Sequence, residues 1–123
     1  MAEGILKNLD PELKIYSAGT KPSSKINPLA IKVMNEIGID ITKQYPKDVK
    51  QFLNKPFDYV ITVCDNAKQT CPVFYGQVKH RLHYSIPDPV EEVGTEQVLL
   101  AVYRKVRDQI NEIFTEFYHN LSL

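Results

Sequence analysis

Tryptophan is absent from the 123 residues, and cysteine occurs only twice, as Cys64 and Cys71. Two cysteines are too few for the disulfide framework of a small secreted domain. With only three scattered histidines (His80, His83 and His119) beside them, they are also short of a structural zinc site, so neither a metal nor another cofactor is expected. No stretch approaches the roughly 20 apolar residues of a membrane span. Met1-Ala2-Glu3-Gly4 lacks the basic flank and apolar run of a secretory leader. Fifteen Lys and Arg balance fifteen Asp and Glu, so there is no general attraction to nucleic acid or to an anionic membrane. The seven tyrosines are dispersed and build no platform for stacking bases. A cytoplasmic protein that binds neither nucleic acid nor membrane is expected.

A hydrophobic share of 43% suits a globular chain, and the length suits one domain over residues 1–123. Residues 1–8 read as helix. Leu13 to Ser17 reads as a short strand, and Asn27 caps a helix with Pro28 at its first position. Leu29, Ala30, Val33, Met34 and Ile37 repeat at helical spacing until Gly38. A short helix is expected near Val49, Phe52 and Leu53. Tyr59 to Cys64 is the clearest strand, and its continuous apolar character suggests a parallel sheet covered on both faces. Arg81 to Ser85 reads as a further strand with mixed polarity. Thr95 caps a final helix with an apolar stripe of Val98, Val102, Val106, Ile110, Ile113, Phe117 and Leu121. The alternation of strand and helix gives an α/β, three-layer fold. A parallel α/β unit ordinarily runs strand, helix, strand, yet the first element is a helix with no strand before it. The chain reads as if the usual first strand were missing.

Several residues carry candidate chemistry. Cys64 closes an apolar strand and Cys71 follows seven residues on; either can be a small buried side chain or a redox group. Asp88 lies between Pro87 and Pro89, a restrained loop that can hold a general acid or simply form a turn. Ser17 and Asn66 can supply polar contacts or serve as a strand-end hydroxyl and a helix cap. Lys68, Lys79, His80, Arg81 and His83 form a mildly basic stretch that can attract an oxyanion or an acidic partner surface, or is simply a solvated face.

Taken in order, the motifs resemble the thioredoxin-coupled arsenate reductases, relatives of the low-molecular-weight protein tyrosine phosphatases. Met1-Ala2-Glu3-Gly4 resembles the first helix just after the phosphate loop of that family. Ile15-Tyr16-Ser17-Ala18-Gly19-Thr20 resembles its second strand and turn. Asn27-Pro28 and Met34 to Ile41 resemble the next helix and its exit. Val63-Cys64-Asp65-Asn66-Ala67 and Cys71-Pro72 resemble the segment of the second and third redox cysteines. Asp88-Pro89, then Gly94-Thr95-Glu96, resembles the general-acid loop and the start of the last helix.

The resemblance implies a small parallel sheet with helices on both faces and a thiol relay. In that relay a loop cysteine attacks arsenate, the second cysteine releases arsenite, and the third closes a disulfide that thioredoxin reduces. It implies that Cys64 is the second cysteine, Cys71 the third and Asp88 the general acid. A bond between Cys64 and Cys71 requires residues 65–70 to bend. On a straight helix the two would stand about 10.5 Å apart along the axis, against the roughly 4.4–6.8 Å a disulfide allows between Cα atoms. The family's nucleophile lies in a Cys, five residues, Arg loop, and neither that loop nor the strand before it has a counterpart here. The expectation is an arsenate reductase-like chain, N-terminally truncated relative to the family and inactive on arsenate or another oxyanion by itself. The alternatives are a two-cysteine thiol-exchange protein and a non-enzymatic binding module or homodimer joined through unpaired strand edges.

Overall fold

The structure is a computed structural model and describes residues 1–19, 26–63, 74, 76–87, 89 and 92–121. Three helices and one parallel strand pair order these residues: α1 (Ala2–Leu9), α2 (Pro28–Asn35), a 3-10 turn (Val49–Phe52), β1 (Phe57–Thr62), β2 (Val78–His83) and α3 (Glu96–His119).

The amphipathic α1 buries Glu3, Gly4, Ile5 and Leu6 and packs on α3. Gly4 permits close approach to the segment after α2, since a Cβ there would lie 2.7 Å from Ile41 Cγ2. α2 begins as its sequence predicts: Asn27 Oδ1 accepts from Leu29 N–H at 2.9 Å, and Pro28 occupies the first turn where no donor is needed. Its exit uses Gly38 at φ +79°, with Ile39 N–H reaching back to the Met34 carbonyl at 3.0 Å. That left-handed turn satisfies the helix's last carbonyls and delivers Ile39 and Ile41 into the core.

β1 and β2 pair in parallel, with Phe57 opposite Val78 and Thr62 opposite His83. Both start and end two or three residues earlier than the apolar runs predict. Residues 13–17, predicted as a third strand, form no ladder with the described residues. Only Gly19 bridges, donating to the Lys47 carbonyl and accepting from Val49 N–H. An apolar pattern makes a strand only where a second backbone lies alongside. Here the side chains fix the segment instead: Ile15 packs on the core, Tyr16 on the rings of Phe52 and Phe57, and Ser17 on Glu3.

α3 is capped by Thr95, whose Oγ1 accepts from Val98 N–H, and runs unbroken to His119. Its buried face overlaps the predicted stripe at Val106 and Ile110, and Ile113 and Phe117 of that stripe pack partly buried against the core, but the face is wider than the stripe. Leu100, Tyr103, Val106, Arg107, Ile110 and Phe114 are buried, whereas Val98 is 51% exposed. From Val98 to Ile110 the stripe steps by four residues, which rotates it by about 40° per step around a helix of 3.6 residues per turn, so its first position, Val98, lies off the face on which Val106 and Ile110 are buried. The helix also meets the strands through edge-to-face ring pairs, Tyr59 with Phe117 and Tyr84 with Phe114. The core itself is formed largely by α1, α2 and α3 with Ile39, Ile41 and Ile86.

Candidate functional site

In parallel α/β sheets, ligands are held beyond the carboxyl ends of the strands. At that edge β1 ends in Thr62 and β2 in His83, directly opposite each other. Tyr84 N–H donates to the Thr62 carbonyl at 2.9 Å, and Thr62 Oγ1 lies 2.6 Å from His83 Nδ1. The strand ends are thus tied by backbone and side chain together. Val63, 40% exposed, follows β1 and leads into Cys64. Beyond β2 the chain passes through buried Ile86 and buried Pro89, the residues that flank the Pro87-Asp88 pair. Cys64, Asn66, Lys68, Cys71 and Asp88 lie outside the described residues.

Phe74 and Gly76 lie downstream of Cys71. Phe74 is buried and stands edge-on to Phe57, with ring centroids 5.7 Å apart. Arg81 on β2 donates from one guanidinium nitrogen to the Phe74 carbonyl and from the other to the Gly76 carbonyl, the latter at 3.4 Å. Lys79, His80, Arg81 and His83 are exposed, as the solvated-face reading predicts. His80 stacks on Tyr59, and Lys79 pairs with Asp58 at 3.3 Å.

A second polar cluster lies at the start of α1. Glu3, only 7% exposed, takes a hydrogen bond from Lys7 Nζ at 2.7 Å and another from Ser17 Oγ, with Lys47 Nζ 3.9 Å away. Burial pushes its carboxyl up. The hydrogen bonds from Lys7 and Ser17, with the charges of Lys7 and Lys47, outweigh that and hold it below the ordinary carboxylate value. Ser17 is therefore a partner of Glu3 rather than a free strand-end hydroxyl. Sequence reasoning missed Glu3, Lys47 and Thr62 as contributors and placed Arg81 only in a basic stretch. The one local signal was Glu3 and Lys7 at i and i+4, which is also the commonest pattern of an ordinary helix face.

Among the described residues no group of three or more His, Cys, Asp or Glu is disposed to hold a metal ion, and no helix is long and apolar enough to cross a membrane. A groove of about 300 Å³ between the strands and the end of α3 is lined mainly by Tyr59, Leu82, Tyr84, Ile113 and Phe117. Glu116 and Asn120 add polar groups to its rings and aliphatic surface.

Comparison with known proteins agrees with this architecture. The family model described as low molecular weight phosphotyrosine protein phosphatase matches residues 1–122. The chain is 40% identical over 118 residues to an arsenate reductase of Halalkalibacterium halodurans and 39% identical over 118 residues to one of Bacillus subtilis, in each case covering 95% of this chain and 84% of the relative. Among solved structures, an arsenate reductase in the phosphate binding state superposes with a TM-score of 0.79 at 29% identity, covering 98% of this chain and 87% of the other. A second, in the reduced state, gives 0.73 at 29% identity over 94% of this chain and 83% of the other. With its family model matching residues 1–122 and arsenate reductases 39–40% identical to it over 118 residues, the chain belongs to the low molecular weight phosphotyrosine protein phosphatase family, among the arsenate reductases of that family.

Proposed function

We propose that this chain takes part in thioredoxin-coupled reduction of arsenate, with Cys64 and Cys71 as the second and third relay cysteines and Asp88 as the general acid. The observation that carries the proposal is the parallel register of Thr62 with His83. Because of it, the chain leading to Cys64 and the chain leading to Asp88 leave the sheet from the same edge, where an oxyanion would be held. The similarity to arsenate reductases across 95% of the chain supports the substrate class.

The chemistry balances on two thiols. Arsenic passes from the pentavalent to the trivalent state, taking up two electrons and giving up one oxygen, which leaves as water with the two thiol protons. Cys64 and Cys71 supply them as they become a disulfide, and the dithiol of thioredoxin returns them by exchange. Each attack requires a thiolate, so the rate follows the deprotonated fraction of the attacking cysteine. A reducible pair of this kind suits the reducing cytoplasm, which is the proposed location. The 123 residues contain no Cys, five residues, Arg segment. They therefore carry the receiving half of the relay, and these residues alone are expected to give no turnover of arsenate.

The test is arsenite formation with thioredoxin and its reductase, using this chain and an in-frame upstream extension. Activity only in the extended form, abolished by Cys64→Ser and by Cys71→Ser, is the expected result. Robust turnover by the 123-residue chain would overturn the reading of an incomplete relay. Undiminished turnover in either serine variant would overturn the assignment of the pair. A second reading, a non-enzymatic homodimer, draws on the edge of β1 opposite β2, which has no ladder partner among the described residues. It predicts no turnover in either form and a stable dimer by light scattering.

A further inference from the structure

We propose that the face around Tyr16, Tyr45 and Leu53 is a docking surface for an acidic protein segment, one that sets several carboxylates around one or two apolar side chains. The inference is independent of the thiol relay and uses none of its residues.

The chain is neutral as a whole, but its charge is unevenly placed. Residues 13–19 and 42–55 hold five lysines and one carboxylate, Asp48. The two segments form one surface. Gly19 bridges to Asp48, the Tyr16 ring lies 5.4 Å from that of Phe52, and Lys55 Nζ donates to the Tyr16 hydroxyl at 3.1 Å. Lys47 turns inward to Glu3, whereas Lys14, Lys43, Lys50 and Lys55 are exposed and form no ion pair among the described residues. The nearby carboxylates are engaged locally: Asp48 accepts from Lys50 N–H, and Asp40, just outside the surface, accepts from Thr42. Three large apolar side chains stand in the same place, Tyr45 at 64% exposure, Tyr16 at 43% and Leu53 at 41%. A solvated face ordinarily intersperses charges of both signs; apolar anchors ringed by one sign select a partner of the opposite sign.

Two of the lysines are held in place by the rings. Lys55 Nζ lies 4.4 Å from the Tyr16 centroid, and Lys47 Nζ lies 4.4 Å from that of Tyr45. The hydrogen bond from Lys55, then its charge, and more weakly the charge of Lys14, hold the Tyr16 hydroxyl below its ordinary value, so both lysines attend that hydroxyl. The same contacts decide against single-stranded nucleic acid, which needs open ring faces for stacking. Each tyrosine already carries an ammonium over one face, Tyr16 is also flanked by the rings of Phe52 and Phe57, and Leu53 offers no stacking plane. A carboxylate needs only a positive charge and a donor, which the exposed lysines supply.

The probe is a rhodamine-labelled peptide of repeated Glu-Glu-Leu triads, and binding to the whole chain is read by fluorescence anisotropy. Saturable binding that weakens with added salt is expected. Lys14→Glu and Lys50→Glu should each raise Kd by at least about threefold, because an attraction becomes a repulsion. Tyr45→Ala and Leu53→Ala should do the same by removing apolar surface that the peptide's leucines cover. Lys105→Glu reverses an exposed lysine of α3 and is the control, with a change below about twofold. All five positions are exposed, and circular dichroism verifies that each variant is folded. No saturable binding by about 1 mM peptide overturns the proposal. So does a loss in Lys105→Glu as large as those in Lys14→Glu and Lys50→Glu. Equal affinity for an all-glutamate peptide, with binding unchanged in Tyr45→Ala and Leu53→Ala, reduces the face to diffuse attraction and overturns it as well. Tighter binding of an oligouridylate of equal charge overturns the choice of an acidic protein segment in favour of nucleic acid.

Discussion

Replacing Glu3 by glutamine tests whether a buried charge holds the start of α1 to the segments packed beside it. The carboxylate is 7% exposed and accepts from Lys7 and Ser17 on different oxygens, with Lys47 approaching the Ser17 side. Glutamine keeps one acceptor for Ser17 but turns an amide donor toward Lys7 and removes the charge that both lysines face. A hydrogen bond to a charged group contributes about 1.5–3 kcal/mol, and Lys7 is half exposed, so the net loss is about 1–2 kcal/mol. Urea unfolding at pH 7 should show a lower midpoint with an unchanged slope. The carboxyl is held below its ordinary value of 4.5, so it remains ionised in the folded chain where it begins to protonate in the unfolded one. Its contribution is complete above that ordinary value and fades as pH falls through the folded value. The difference between the native chain and Glu3→Gln should therefore shrink on acidification below about pH 5. Equal midpoints at pH 7, or a difference that persists undiminished into acid, would refute this account of Glu3.

Two further outcomes follow from α3. Leu100→Ala should cost about 2–5 kcal/mol and Val98→Ala within about 0.5 kcal/mol in the same urea assay, because only the first empties a buried site; equal costs would place the predicted stripe back on the core. Glu36 is held at about 2, foremost by hydrogen bonds from Arg104 and also by Arg107, so its share of stability is present above its ordinary 4.5 and is lost as pH falls toward 2. Acid titrations of the native chain and Glu36→Gln should converge across that window, and parallel curves would count against the assignment.

Local signals were enough where a backbone group and a nearby side chain decide the structure. Asn27-Pro28, Gly38 and Thr95 mark helix ends through caps that act within a few residues, and each holds. The parallel pair was legible because β1 carries Tyr59, Val60 and Ile61 as an unbroken apolar run. Residues 13–17 were misread because a strand is a property of two backbones, and the pattern of one says nothing of its neighbour. On α3, the apolar pattern placed Val106 and Ile110 on the buried face but overlooked Leu100, Tyr103, Arg107 and Phe114. Arg107 shows why that fails: its stem is buried while the head donates to the Val33 carbonyl at 2.9 Å and to Glu36 at 2.8 Å. No periodicity of apolar residues can reveal a buried arginine whose partners stand some seventy positions away.

The same distinction governs the site. Cys64, Cys71 and Asp88 are readable from sequence because chemistry demands particular residue types at motif positions. What fixes the described backbone beside them is carried by groups with no motif. The hydroxyl of Thr62, the ring of Phe74 and the guanidinium of Arg81 act across strands or across a turn, and each could be another residue in a chain that solved the same problem differently.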